Sequence, residues 1–468
     1  MLNMATAVED HQPQAAPRRA FPTSHPARER LGYKSDPESA LPELPPSPPT
    51  EHQHGANAAP PVDAEPRLAV LERIPTYLQP NLPWRDRLLH FTFAWYTVTM
   101  STSGISLILA TTPHRFRGLD EIGLAVFCFD LLSFLGITAA ILLRFALYRH
   151  TFRRAFTRPA EALFISTFFL SVAAILSNMD QYARLFLSAA QRARMAEGFL
   201  RVAFWCYLGA SFAFSVGQYH LLFTVKKERR LMVSAMTPAW ILPIFPVMLA
   251  GTLAGVCARG LAAEQALAVL CAGLAAQGLG FLVSVFFYST YLSRLMAFGL
   301  PAQRPGMFIA VGPPSFTCAA LVAMAAEVPR VLDELAGDSS AVRVGVLAAL
   351  GEVDVPTLAM GFRLLALSAA VFLWGLSFWF FASATLAVVA GMPDRKFHLS
   401  WWSFVFPNVG FTLASMRMGD ALGSGGILWL STVMTALLFL AWAFIVFRCL
   451  RAVYRREIVW PGHDEDSD

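Results

Sequence analysis

An all-α protein that crosses a lipid bilayer many times is the fold class this sequence predicts, on three observations. Its 468 residues are 56% hydrophobic and only 15% charged, where a soluble domain carries about a quarter charged residues. Apolar runs recur along most of the chain, each near the roughly 20 residues an α-helix needs to cross the hydrocarbon core. Lysine and arginine gather in alternate connections between these runs, the bias that holds a connection on the cytoplasmic side. The net charge of +5 therefore reads as membrane topology, and no nucleic-acid partner is expected. Cys128, Cys206, Cys257, Cys271, Cys318 and Cys449 lie in or beside apolar runs without metal-ligand spacing. They read as small buried hydrophobes rather than disulfides or a redox motif.

Residues 1–83 stand apart. Sixteen of the thirty prolines fall there, with LPELPPSPPT at 41–50, and no apolar period runs through them. Such a composition cannot bury enough surface to order itself, so a disordered proline-rich cytoplasmic tail is expected. His52 and His54 in EHQH read as solvated tail rather than a metal site. The polar beginning lacks a cleavable-signal pattern, which makes the first apolar run an internal helix. A transmembrane domain is expected over 84–450, followed by a cytoplasmic tail over 451–468 that ends in the acidic HDEDSD.

Ten spans are expected, at 91–111, 121–147, 160–180, 200–223, 236–257, 265–290, 306–327, 362–390, 400–419 and 426–449. Basic residues follow span two (Arg144, Arg149, Arg153, Arg154, Arg158), span four (Lys226, Lys227, Arg229, Arg230) and span ten (Arg448, Arg451, Arg455, Arg456). The opposite connections are poorer in Lys and Arg, and the 327–361 connection is rather acidic. An even count with this bias puts both termini in the cytoplasm. Trp401 and Trp402 open span nine and fit an interfacial belt.

The odd spans are interrupted and the even ones smooth. Span one holds Ser101-Thr102-Ser103-Gly104. Span five holds Pro243, Pro246, Gly251 and Gly255, and span seven Gly312-Pro313-Pro314-Ser315. Span nine holds Pro407, Asn408 and Gly410 within WWSFVFPNVGF at 401–411. Span three has no proline but carries Ser166, Thr167 and Ser171. One broken and one smooth helix per unit is a repeat by composition. Broken backbone survives in a bilayer only when buried in protein or facing a water-filled cavity, so the odd spans are expected to surround a common axis. Ser101, Thr102, Ser103, Gly104, Pro243, Pro246, Pro313, Pro314, Ser315, Pro407 and Asn408 are then its expected lining, with Pro407 kinking its helix and freeing the carbonyl of Ser403.

The chemistry of the spans limits what crosses. Mid-span acids read as nearly absent, against a carboxylate-ringed cation channel and against a carboxylate proton relay. Arg184, Arg201, Arg294, Arg363 and Arg417 sit near span ends, and a basic-mouthed, hydroxyl-lined passage suits anions. His90, His114, His150, His220 and His398 all lie at ends or in loops, which disfavours haem ligation across helices. HExxH, GxSxG and Walker patterns do not occur, so an enzyme or an ATP-driven pump is not expected, nor any cofactor or metal.

From His90 to Gly123 the chain reads HFTFAWYTVTMSTSGISLILATTPHRFRGLDEIG. This closely resembles the opening of the fungal malic acid transporters, in the tellurite-resistance/dicarboxylate transporter family. That pattern has a histidine, aromatics, MSTGG and then PHRFRGL. Here Ser103 replaces one glycine, the loop Pro113–Leu119 is intact, and FPNVGF of span nine also matches. The resemblance covers about 85–450. It implies ten helices as five hairpins around a central pore formed by the odd helices, a homotrimer, and a plasma-membrane location shared with slow anion channel-like relatives. It implies a phenylalanine plug on helix nine, matched by Phe406, with Phe404 as the alternative register. It implies small C4 dicarboxylates as substrates: malate, succinate and fumarate, with malonate beside them. Passive and proton-linked movement, with protons as a further partner, both stay open. Other branches export sulfite or pass small inorganic anions. Arg115 and Arg117 of the PHRFRGL loop either attract dianions or fix the loop to a neighbour. A gated dicarboxylate pore is the leading expectation. Sulfite efflux, and a closed membrane scaffold acting through its proline-rich tail, are the alternatives.

Overall fold

The computed structural model describes residues 83–227, 230–337, 354–393 and 396–459. The proline-rich tail with His52 and His54, Arg229, the middle of the 327–361 connection and the acidic C-terminal tail lie outside the described residues. All regular structure among the described residues is helical. The ten principal helices are α1 (Tyr96–Thr111), α2 (Leu119–Leu147), α3 (Ser166–Phe186), α4 (Arg201–Thr224), α5 (Phe245–Cys257), α6 (Ala263–Phe298), α7 (Gly312–Gly337), α8 (Val355–Val389), α9 (Phe406–Leu422) and α10 (Gly425–Tyr454).

Nine helical segments among the described residues are long and apolar enough to cross a membrane. Several outrun the expected bounds: the sixth runs Ala263–Phe298, the seventh Arg304–Ala336 and the eighth Val355–Val389. The expected ninth span is different in kind. Leu399–Phe404 form a 3-10 helix and Phe406–Leu422 a 17-residue α-helix, with Val405 between them.

That interruption recurs. A 3-10 stretch leads into each odd-numbered helix: Phe93–Trp95 before α1, Leu163–Ile165 before α3, Pro238–Ile244 before α5, Arg304–Val311 before α7 and Leu399–Phe404 before α9. Pro246, Pro313, Pro314 and Pro407 all fall in the first turn of the α-helix that follows. A first-turn N–H has no intrahelical acceptor, so proline is accepted there without loss. The expected mid-helix kinks are therefore junctions: Pro407 opens α9 rather than bending a continuous helix.

The odd helices close into a ring. α1 packs on α3, α3 on α5, α5 on α7, α7 on α9, and α9 back on α1. Each even helix packs on the inner helix before it and the inner helix after it, outside the seam between them. Burial separates the two sets cleanly. Among the four inner segments that qualify as spans, 72–89% of the apolar window is buried, against 17–39% among the five outer ones. The compositional alternation of broken and smooth spans is thus an alternation of inner and outer position. Cys257, Cys318 and Cys449 are buried, whereas Cys128, Cys206 and Cys271 are exposed, so only half the cysteines sit inside.

Outer helices brace the irregular inner backbone. Tyr207 Oη and Tyr219 Oη of α4 donate to Pro246 O and Trp240 O, each at 2.9 Å. Tyr288 Oη of α6 donates to Ala310 O at 2.8 Å. Trp374 Nε1 of α8 donates to Ser415 Oγ at 3.0 Å, and Trp442 Nε1 of α10 to Thr102 Oγ1 at 3.1 Å. In each case the outer helix reaches the next inner span round the ring, and several of these bonds satisfy carbonyls that a 3-10 turn or proline leaves open. Small residues allow close approach where van der Waals contact is the main attraction: a Cβ on Gly273 of α6 would stand 2.2 Å from Ala254 Cβ of α5.

Candidate functional site

Three phenylalanine rings from successive inner helices meet where 3-10 helix turns into α-helix. Phe245 and Phe406 are the first residues of α5 and α9, and Phe316 lies four residues beyond the start of α7. Phe316 and Phe406 stack with centroids 5.2 Å apart. Phe245 meets Phe316 edge-on at 5.7 Å and Phe406 edge-on at 6.2 Å. All three rings are buried. Two glycines make their room: a Cβ at Gly312 would lie 2.7 Å from Phe245 Cζ, and one at Gly410 would lie 2.6 Å from Phe316 Cε2. Sequence reasoning reached Phe406 alone. The same dipeptide, Phe-Pro, marks 245–246 and 406–407, and that repeat is the signal that points to Phe245.

The Ser101–Gly104 run fans out instead of facing one way. Ser101 Oγ donates to Trp402 O at 3.4 Å, and Gly104 faces Val409 of α9, whose Cγ2 would be 3.0 Å from an added Cβ. Thr102 Oγ1 donates to Val98 O and accepts from Trp442 on outer helix α10. Ser103 accepts from Asn178 Nδ2 of α3 at both its carbonyl (2.8 Å) and its hydroxyl (2.9 Å). Pro243, Pro246, Pro313 and Pro314 are buried at their junctions. Ser315 Oγ donates to Val311 O at 2.6 Å. Asn408 Nδ2 donates to Phe404 O at 2.9 Å, bridging the junction, and its Oδ1 has no partner. Trp401 and Trp402 are buried in the bundle rather than placed in a belt; Arg448 lies over the Trp401 ring at 5.0 Å.

The inner helices carry arginines at or just beyond their C-terminal ends. Arg184 pairs with Asp180 (2.7 and 3.1 Å), Arg259 with Glu327 (3.8 Å), and Arg330 with Glu327 (3.2 Å) and Glu334 (3.0 Å). Arg417 of α9 is only partly exposed and makes no hydrogen bond or ion pair among the described residues; the charges acting on it are those of Arg259, Asp420, Glu327 and Arg184. Arginine prefers planar oxyanions because its fork matches a carboxylate. In the loop after α1, Arg115 pairs with Asp120 and donates to Ala110 O at 2.6 Å, so it ties the loop down, while Arg117 is exposed. At the other end, Arg153 and Arg154 from the connection after α2 and Lys226 from that after α4 line one cleft. Those two basic connections therefore share a face. No group of three or more metal-ligating side chains occurs among the described residues.

A ring of interrupted helices within a jacket of smooth ones, edged with arginine, defines an all-α polytopic membrane protein. The chain belongs to the SLAC1 family, described as voltage-dependent anion channels, whose model matches residues 90–450. It is 31% identical over 398 residues to a putative malic acid transport protein of Schizosaccharomyces pombe, covering 83% of this chain and 86% of that one. A second protein of that yeast, a malic acid transport protein, is 30% identical over 83% of this chain and 84% of its own. A sulfite efflux pump, SSU1, of Trichophyton rubrum is more distant, at 24% identity over 77% of this chain and 92% of its own. Family and relatives make this a transporter or channel, not an enzyme.

Proposed function

We propose that this protein carries malate and similar small C4 dicarboxylates across the membrane through the axis of the inner ring, with Phe406 as the principal gate. The observation that carries the reading is the extended similarity to malic acid transport proteins, which spans the same residues that build the ring. The interlocked rings of Phe245, Phe316 and Phe406 support a closed gate: dry aromatic contacts bar an ion until they part. Arg417, with Arg184 and Arg259 beside it and Arg117 in the loop, supplies the attraction for a dianion. Ser101, Gly104, Ser315, Pro407 and Asn408 remain the proposed lining near the gate, with Pro243, Pro246, Pro313 and Pro314 behind the rings. Thr102 and Ser103 act by holding α1 to its neighbours.

In this reading the broken segment Leu399–Leu422 is a tenth crossing, both termini lie in the cytoplasm, the location is the plasma membrane and the assembly is a homotrimer. Uptake of labelled malate by cells lacking their own dicarboxylate carriers, with wild type and Phe406→Ala side by side, tests it. Malate flux in the wild type that rises in the variant is the expected result. Wild-type flux that the substitution leaves unchanged removes Phe406 from the gate. Sulfite movement without malate movement favours the efflux branch, which the more distant relatives support.

A further inference from the structure

One acid lies in the middle of a smooth outer helix. Asp130 is the twelfth residue of the 29-residue α2, near its middle, and is fully buried. Among the described residues neither of its carboxylate oxygens meets a donor in full hydrogen-bond geometry. Ser103 of α1 is its polar neighbour. Ser103 is held from the third side by Asn178 of α3, whose Oδ1 is likewise without a donor.

Among the described residues no cation answers this carboxylate. On α2 itself, Arg144 is fourteen residues away, about 21 Å along the helix, and pairs bidentately with Glu161 at 2.5 and 3.1 Å. Asp120 is taken by Arg115, and Glu121 and Cys128 bring no positive charge. The only ionisable side chain of α1 is Tyr96, which bonds Thr138. On α3, Asp180 and Arg184 pair with each other and Tyr182 bonds Ser106. Arg85, Asp86 and Arg87 of the helix Trp84–Leu89, and Arg149, His150, Arg153 and Arg154 of Arg149–Thr157, meet α2 from its far end. Around Ser103 there are three oxygens without a donor, two on Asp130 and one on Asn178, and one serine hydroxyl to share. An added proton supplies the missing donor, because a neutral carboxylic acid donates once and accepts as well. An unpaired charge inside the bilayer is expensive, and ionisable groups retained there are functional.

We infer that Asp130 is a proton-binding site, protonated in the packing seen here, whose occupancy sets how readily the inner ring conducts. The link to the axis is α1. One face of that helix meets Asp130 through Ser103, and the other meets the gate segment through Gly104 against Val409 and Ser101 against Trp402 O. Loss of the proton places a bare carboxylate against α1. The helix must then admit water or shift, and its contact with the segment carrying Phe406 shifts with it.

The experiment uses the full chain in lipid nanodiscs, wild type beside Asp130→Asn, which mimics the neutral acid in shape and hydrogen bonding. Infrared difference spectra across a pH titration read the carbonyl stretch of a protonated carboxylic acid. The expected result is a band in the wild type that disappears as pH rises, is absent from Asp130→Asn, and titrates at a shifted pH in Ser103→Ala. A pH titration of the same bands in wild type and Asp130→Asn overturns the site. Thermal melting gives a second readout: the wild type loses stability as pH rises through the titration, and Asp130→Asn does not. Malate flux into proteoliposomes, at fixed dianion concentration, then tests control. The wild-type flux is expected to change several-fold with pH and that of Asp130→Asn to stay level; equal pH profiles overturn the control. The inference rests on malate transport only for this last assay. Absence of wild-type malate flux refutes that function, while the infrared band still decides the proton site.

Discussion

Gly410 of α9 lies so close to Phe316 of α7 that a methyl group on the glycine would stand 2.6 Å from the ring. Gly410→Ala therefore pushes the Phe316 ring against Phe406, its stacking partner. Overpacking of this kind costs about 1–3 kcal/mol. We expect a lower melting temperature and reduced anion flux, both read on the purified protein in proteoliposomes. Pairing Gly410→Ala with Phe316→Leu should recover part of each loss, because the smaller side chain vacates the contested space.

On the proposed reading the three rings close the axis together, with Phe406 foremost, so their removal should not add simply. Phe406→Ala and Phe316→Ala are each expected to raise flux several-fold, and the double variant to gain less than the product of the two. Contacting residues are those for which additivity fails. Steady-state uptake in all four members of the cycle checks this, and strict multiplicativity would show that the rings act independently.

Among the described residues Arg417 stands without an ion-pair partner, beside Arg184 and Arg259, which suits it to an incoming carboxylate. Arg417→Gln should raise the KM for a dicarboxylate several-fold with a smaller change in maximal rate, and should weaken the dependence of flux on ionic strength. Arg417→Lys should restore charge but not the planar fork, giving an intermediate KM. Kinetics at low and high salt separate the three.

Glu161 and Arg144 form a bidentate pair with both side chains buried, and the same guanidinium donates to Phe91 O at 3.2 Å. Removing one partner strands the other charge, at about 3–5 kcal/mol. Glu161→Ala should therefore unfold far more readily in detergent. Glu161→Gln combined with Arg144→Leu should lose much less than the single truncation.

The Thr102 hydroxyl is engaged by Val98 O of its own helix and by Trp442 of the outer helix α10. Thr102→Val should cost about 0.6 kcal/mol, the usual worth of an interhelical hydrogen bond in a membrane, and leave the ranking of transported anions unchanged. A changed ranking in competition uptake assays would put the hydroxyl in the path.

The layout was legible in the sequence to the extent that it depends on backbone chemistry. Pro246, Pro313, Pro314 and Pro407 announce broken backbone, and broken backbone must be inside, so the alternation of inner and outer spans followed from composition. What those prolines do was misread, because a proline in the first turn of a helix and one in its middle look alike without knowing where the helix begins. The orientation of the Ser101–Gly104 run was hidden for a related reason. Successive residues on a helix point about 100° apart, so four adjacent small residues cannot share one lining face. Asp130 is hard to see in the sequence because it sits in FCFDLLSFLG, the middle of a smooth outer helix, where one acid is diluted by the rings around it. Only the fold reveals that this acid faces Ser103 rather than lipid.

The 3-10 stretches that lead into all five inner helices let short runs of chain reach further. A 3-10 turn rises about 2.0 Å per residue and an α-turn about 1.5 Å, so the eight residues Arg304–Val311 cover about 4 Å more than the same residues would as α-helix. The prolines lock that gain in. Wound into one continuous α-helix, Pro313 and Pro314 would meet the carbonyls of Ile309 and Ala310, and the Tyr288 bond to Ala310 O would have to give way. The stretch works as a ratchet with one stable setting, its tight turn unable to relax into the wider helix beyond it.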